Sequence, residues 1–504
     1  MKEKVLVAGS GARDHCLAEE YAEHGHKTYI APGNPGIKYT RKGKSGWIEC
    51  VPLREPFEIA RFCKENNITL VDAGSENVLD QGVVDACNAI GIATIGPKRK
   101  YVWIESDREF TDKLLRDIGV PKPEFEVFDN PEEAKKYVKN IGYQVVVKAN
   151  GLASGKGCIV CDDVDDAIDA IETIMVKRKF GKSGEKVVIE ERKYGEEISF
   201  FAYLDGEHVL PLKMFAKDYK PAFDPDDKLG MFIFNYGLDE KGIRRGLQKF
   251  RIKCSENLKS MDEEEMIKYL KEILREDTKL PNLNTGGTGC YCPHKLVSSH
   301  LVNRIIKEIV NPTVNEIYRM GWEYKGILYF GLNRDPDGRL DVFEINVRHG
   351  DPEAEVILRK LETDLFEIAM ATWNGRVDEI KPKWNENYYV DVIAMVGRAK
   401  GEKGWYPGYP GRYGKGYKIK GLEDINRGIA VFYSGIDEHP EKGLVTSGGR
   451  VLHIVASNKS LDVAVEKAYK NIEKIKFLDH ENKNCMRYRK RIGLDVSAQN
   501  STEF

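Results

Sequence analysis

Val145-Val146-Val147-Lys148-Ala149-Asn150-Gly151-Leu152-Ala153-Ser154-Gly155-Lys156-Gly157 runs directly into Cys158-Ile159-Val160. An apolar run, a glycine-rich segment and a second apolar run predict strand, hairpin loop, strand. A glycine loop carrying a lysine can fold over a triphosphate and cradle its oxygens with backbone N–H groups. The Gly-x-x-x-x-Gly-Lys-Ser/Thr spacing of a Walker loop is absent, and a strand follows where that loop would lead into a helix. Lys148 lies in the apolar strand, where an ammonium is costly unless it meets an anion or snorkels from the sheet edge.

A second block reads Val342-Phe343-Glu344-Ile345-Asn346-Val347-Arg348-His349-Gly350-Asp351-Pro352-Glu353. Side chains alternate along a strand, so Glu344, Asn346 and Arg348 share one face while Ile345 and Val347 take the other. A carboxylate beside an amide oxygen is a hard donor pair suited to Mg²⁺. An arginine next to them suits a carboxylate or phosphate. A solvated polar face is the alternative, but the strand ends in a Gly-Asp-Pro turn, where functional groups gather.

The first hundred residues alternate predicted strands (5–8, 27–30, 70–73, 93–95) with helices (14–23, 56–66, 83–90). This predicts an open parallel sheet with crossover helices. After Gly9, the turn Ser10-Gly11-Ala12-Arg13-Asp14 offers backbone N–H groups at a helix start, a setting for an anion. It fails as a dinucleotide fingerprint, because Asp14 takes the third glycine position and no acidic residue ends the second strand. A smaller phosphate near Gly11 and Arg13 stays open, as does a simple tight turn.

A length of 504 residues predicts two to four domains. A formal net charge of -2 provides no global field for nucleic acid or an anionic membrane. No apolar stretch is long enough to span a bilayer or serve as a signal core, so a cytoplasmic protein is expected. Ten cysteines without regular spacing read as reduced thiols. Cys158-Ile-Val-Cys161 reads as strand and Cys290 follows a glycine-rich loop, in preference to half zinc sites at Cys158/Cys161 and Cys290/Cys292.

The order of motifs resembles the ATP-grasp superfamily and, within it, the phosphoribosylamine–glycine ligase (glycinamide ribonucleotide synthetase) family. The segments that carry the likeness are 9–15, 31–36, 148–157, 188–200, 284–289, 344–353, 446–452 and 488–493. They span nearly the whole chain. The resemblance implies an α/β protein with an N-terminal open parallel sheet, a central ATP-grasp α+β domain and a small C-terminal α+β domain. It implies ligation of glycine to phosphoribosylamine through glycyl phosphate, with ATP as co-substrate and Mg or Mn as metal. By the same resemblance Glu344 and Asn346 hold the metal. Arg108, Lys148, Ser154, Gly155, Lys156, Gly157, Glu190, Glu191 and Glu197 hold ATP. Gly11, Arg13, Asn284, Thr285, Gly286 and Gly287 bind substrate, and Asp218, Arg348 and Asp351 are catalytic. No nucleic-acid or membrane partner is implied, and a monomer is expected.

The chain departs from the family pattern in places. Gly74-Ser75-Glu76 replaces Gly-Pro-Glu, and Asp107-Arg108 replaces Ser-Lys, so Arg108 stands for the usual nucleotide lysine. Asp107 is positioned in sequence to hold the arginine fork. Lys217, Tyr219 and His349 replace Gln, His and Phe. An insertion covers about 222–280, where Ser260-Met261-Asp262-Glu263 reads as a capping box before a helix with Met266, Tyr269, Leu270, Ile273 and Leu274 on one stripe. That stripe is expected on the ligase body. The expected domains are 1–104 (substrate phosphate), 105–380 (ATP-grasp) and 381–495 (C-terminal). Two competing readings are a paralogous ligase with another acid or amine, and an ATP sensor without turnover. An intact Glu344/Asn346 pair argues against the sensor.

Overall fold

In the computed structural model five parallel strands form the N-terminal sheet: β1 Lys4–Gly9, β2 Lys27–Pro32, β3 Ile48–Cys50, β4 Leu70–Ala73 and β5 Ala93–Ile95. Their order is β3-β2-β1-β4-β5. The structure describes residues 3–39, 48–153, 156–250, 252–275, 278–401 and 404–494. Strand β1 is apolar and buried from Val5 onward because helices cover both faces of the sheet. Helix Ala12–Glu23 begins two residues before the expected start, and helix Glu76–Gln81 and strand β3 were not expected from the sequence.

The glycine loop lies in a small antiparallel sheet of β6 Phe125–Phe128, β7 Val145–Ala149, β8 Cys158–Val160 and β9 Val187–Glu191, ordered β6-β9-β7-β8. Helices Pro131–Asn140 and Val164–Ile171 cover one face, packing Ala134, Val138, Ala167 and Ile171 on Val145, Val147 and Ile189. Facing it is a larger antiparallel sheet. It holds β10 Glu196–Asp205, β11 Val209–Asp218, β12 Gly289–Cys292, β13 Lys325–Arg334, β14 Leu340–Asn346 and β15 Tyr388–Val396. From β12 this sheet passes without a break into β15 and then strand Arg450–Asn458. The C-terminal region therefore shares a backbone ladder with the central one, and helix Leu461–Ile472 packs over it.

The insertion differs from expectation. Helices Lys228–Tyr236, Glu240–Lys249 and Glu263–Ile273 close a separate cluster around Phe232, Ile243, Leu247 and Leu270. Met266, Tyr269, Ile273 and Leu274 pack into that cluster, so the stripe serves the insertion's own core and not the ligase body. The capping residue is Asp262, not Ser260. Asp262 accepts from the Glu265 N–H, and the Glu265 carboxylate accepts from the Asp262 N–H, both at 2.9 Å. Aspartate caps as well as serine, and both registers place a Glu at the third helical position.

Candidate active site

A cleft of about 530 Å³ opens between the two facing sheets. At one end, Lys148 on β7 is buried and meets an anion supplied by the protein, the Glu190 carboxylate on neighbouring β9. Its second bond goes to the Phe343 carbonyl at 3.2 Å, across the cleft on β14. Burial would raise the Glu190 carboxyl, but Lys148, Lys122 and Arg108 outweigh it and hold it below the ordinary range. Arg108 also donates to the Phe343 carbonyl, at 3.4 Å, and its buried Nε has no hydrogen-bond partner. Asp107 does not hold the Arg108 fork as expected. It caps helix Arg108–Asp117, accepting from Phe110 N–H at 3.1 Å and from Asn150 at 3.2 Å. Orphan amides at a helix start compete well for such a carboxylate.

Glu191, Glu197 and Gly157 line the same end. Ser154 and Gly155 lie outside the described residues. Lys156 turns toward the C-terminal aromatic segment, its ammonium 5.1 Å from the Tyr409 ring and 5.8 Å from the Tyr413 ring.

Glu344, Asn346 and Arg348 face the cleft, while Ile345 and Val347 enter the core, as the alternation predicts. Lys220 stands between two carboxylates, 3.0 Å from Glu344 and 3.3 Å from Glu197. Burial opposes ionisation of Glu344, yet Lys220 and Arg108 bring its carboxyl down to about 2. A carboxylate and an amide oxygen are hard donors, so Glu344 and Asn346 are the pair that could hold a divalent ion.

The other end is walled by Asp218, Asn284, Thr285, Gly286, Arg348, Asp351 and Arg450, while Gly287 is not part of the lining. Arg348 is clamped by Glu105 at 2.8 Å and Glu76 at 3.3 Å. Asp351 pairs with Arg450 at 3.0 Å, and Arg450 also donates to the carbonyls of Gly286 and Asp351. Asp218 is different. Its buried Oδ1 has no hydrogen-bond partner, and burial together with the Glu353 charge pushes its carboxyl well above the carboxylate range. Gly287 adopts a φ of +103°, and a Cβ there would fall 2.4 Å from Pro352. Glycine is thus required where the loop crosses the Asp351 turn.

Arg13 reaches this end, donating to the His349 carbonyl at 2.8 Å and facing Glu76 at 3.5 Å. The amides of Ser10 and Gly11 do not face an anionic ligand as expected. Both donate to Asp14 Oδ2 at 2.8 Å. Asp14 fills the crevice at the strand ends, since a Cβ on Gly9 would lie 2.1 Å from its carboxyl carbon.

Sequence reasoning missed Glu105, Lys220 and Arg450 as site residues, and read Glu76 only as a departure. Lys220 carried a usable signal, because it shares an extended face with Asp218 two residues earlier. Glu105 comes from a helix with no local pattern to mark it. All ten cysteines are free, and no metal-ligating group among the described residues includes one.

Three family models match in chain order: the phosphoribosylglycinamide synthetase N domain over residues 3–105, the ATP-grasp (A) domain over 106–354 and the C domain over 406–495. The chain belongs to the phosphoribosylglycinamide synthetase family. A synthetase relative, the phosphoribosylamine–glycine ligase of Archaeoglobus fulgidus, is 38% identical over 502 residues, covering 98% of this chain and 99% of its own. The crystal structure of the Thermotoga maritima phosphoribosylamine–glycine ligase shares the fold, with a TM-score of 0.68 at 23% identity over 97% of this chain and 99% of that one. The biotin carboxylase domain of Hydrogenobacter thermophilus 2-oxoglutarate carboxylase, solved with MgADP, shares it at a TM-score of 0.58 and 16% identity over 96% of this chain and 91% of that one. As a member of the synthetase family the protein is an ATP-dependent ligase of the ATP-grasp type. Among the described residues no helix is long and apolar enough to cross a membrane.

Proposed function

We propose that the protein joins glycine to phosphoribosylamine, yielding glycinamide ribonucleotide, ADP and phosphate in purine biosynthesis. One observation carries this reading: Lys148, Glu344, Asn346, Arg348 and Asp218 open on a single cleft. A glycine carboxylate oxygen attacks the γ-phosphorus of ATP, and the bond to the β,γ-bridging oxygen breaks, releasing ADP. The amine nitrogen of phosphoribosylamine then attacks the glycyl phosphate carbonyl. The C–O bond to phosphate breaks, and the amine loses a proton.

Phosphoryl transfer of this kind depends on positioning and charge neutralisation. Lys148 and Arg108 bind the nucleotide phosphates. Glu344 and Asn346 would hold Mg or Mn, which supplies positive charge to those phosphates. Arg348, clamped by two glutamates, orients the glycine carboxylate, and Asp351 with Arg450 shapes the acceptor side. Asp218 can receive the amine proton. Lys148 and the glycine loop over the cleft exclude water from the acyl phosphate, which hydrolyses readily. The working domain division remains 1–104, 105–380 and 381–495.

The departures from the family pattern support the same substrates. Lys217 pairs with Glu196 at 2.8 Å, His349 bonds the Tyr203 hydroxyl at 2.9 Å, and the Tyr219 hydroxyl accepts from Gly493 N–H at 3.0 Å. These contacts turn all three away from the reacting groups. The test is ADP release with glycine and freshly generated phosphoribosylamine against a panel of other acids and amines. ADP and phosphate are expected with this pair alone. AMP as the nucleotide product, or preference for another pair, overturns the reading.

A further inference from the structure

Asp351 forms one wall of the cleft, and behind it lies a second polar cluster that the ligation does not use. Helix Ala354–Ile357 brings Glu355, β15 brings Asp391, and strand Arg450–Asn458 brings His453. His453 lies opposite Ile393 in the ladder, so Asp391, two residues away, shares its face of the sheet. Glu355, Asp391 and His453 are each fully buried.

The contacts are ordered. His453 Nδ1 is 2.7 Å from Asp391 Oδ2. His453 Nε2 has no hydrogen-bond partner and lies 3.7 Å from Asp351 Oδ1. Neither carboxylate oxygen of Glu355 has a hydrogen-bond partner, and Oε1 is 3.8 Å from His453 Nδ1. One ligand atom each from Asp351, Glu355 and His453 lie within 4.8 Å of one another. Arg450 shares the Asp351 carboxylate at 3.0 Å. Buried polar atoms are nearly always partnered, so a wholly orphaned Glu355 carboxylate on the same imidazole as the orphaned Nε2, whose Nδ1 is the partnered nitrogen, calls for a further ligand.

We propose that Asp351, Glu355 and His453 form a divalent-cation site separate from the Glu344/Asn346 pair. An imidazole with two carboxylates suits Zn²⁺ or Mn²⁺ better than Mg²⁺. Metal bonds of about 2.0–2.2 Å let donors 3.7 Å apart share one ion. Asp391 is the orienting carboxylate: by accepting from Nδ1–H it keeps the proton on that nitrogen and leaves the Nε2 lone pair for the metal. Such an ion ties the helix after the ATP-grasp strand to the C-terminal strands. The proposal does not depend on which acid and amine are joined.

The test uses full-length protein, stripped with chelator and free of nucleotide, titrated with Zn²⁺ alone by calorimetry. One equivalent is expected. Glu355→Gln and His453→Gln should lose it, Asp391→Asn should weaken it roughly 10–100-fold, and Glu344→Gln should keep it. No binding to the unsubstituted protein, equal binding to Glu355→Gln and His453→Gln, or loss confined to Glu344→Gln overturns the assignment. Buried substitutions can impair folding, so crystals of the unsubstituted protein soaked in Zn²⁺ give an independent reading. An anomalous peak among the three side chains supports the site; a peak elsewhere, or none, removes it.

Discussion

Glu190 and Glu344 at one end of the cleft and Asp218 at the other are buried carboxylates treated in opposite ways. At the nucleotide end Glu190 pairs with Lys148 and Glu344 with Lys220, and both carboxyls sit below their ordinary range. At the acceptor end Asp218 has an orphan oxygen and a carboxyl held well above that range. The first arrangement is neutralised by the protein and pre-organised before ATP arrives. The second keeps an unfavourable group in place, which the proposed mechanism uses for the substrate amine, and stability bears the cost.

The largest test of this contrast compares two isosteric changes. Glu190→Gln leaves Lys148 buried without its counter-ion and should destabilise by about 3–5 kcal/mol. Asp218→Asn removes a carboxylate that the fold disfavours, and should be neutral or stabilising while cutting turnover. Denaturant unfolding of both variants checks the pair, and equal destabilisation would erase the distinction. The pH profile should carry the same signature. Glu190 and Glu344 have depressed folded values, so their stabilisation is present above an unfolded value near about 4.3. For Glu344 it is lost as pH falls toward about 2. Asp218 is raised, so its contribution is present below about 3.9 and is lost as pH rises toward the folded value. The melting temperature of Asp218→Asn should therefore fall less than that of the unsubstituted protein as pH rises above about 4.

Next in size is Glu344→Gln, which should slow turnover by roughly 100–1,000-fold, about 3–4 kcal/mol of barrier. Asn346→Asp keeps an oxygen donor but adds charge near the phosphates, and should slow turnover less while retaining metal binding. Steady-state ADP release and Mn²⁺ titration separate the two. Near-normal turnover in both would move the metal off this strand. The smallest effect belongs to Arg108. Arg108→Ala should weaken ATP binding by about 1–3 kcal/mol, and Arg108→Lys by less, since charge survives without the planar fork. Calorimetric titration with ATP reads both, and unchanged affinity in Arg108→Ala would leave Lys148 as the phosphate contact.

The fold was legible where one local pattern decided the outcome. Strand β4 begins and ends where the sequence predicted it, and the alternation in 344–348 placed polar and apolar side chains on the correct faces. Legibility failed where two partners competed for one group. Asp107 was open to Arg108 or to a helix start, and the helix won. The Gly9–Asp14 turn offered its amides to an anion, and Asp14 itself took them. Asp262 displaced Ser260 because two capping registers overlapped. Groups such as Glu105 and Arg450 join the cleft only through tertiary approach, which no local spacing encodes.

The small four-stranded sheet shares no ladder with the large one, yet Lys148 and Glu190 ride together on its adjacent strands. Any swing of that sheet away from β14 carries a lysine already matched to its counter-ion. The swing surrenders the Lys148 contact to the Phe343 carbonyl while the ion pair travels intact. For Lys148 itself, admitting a ligand then costs a dipolar contact, and its charge stays beside its partner.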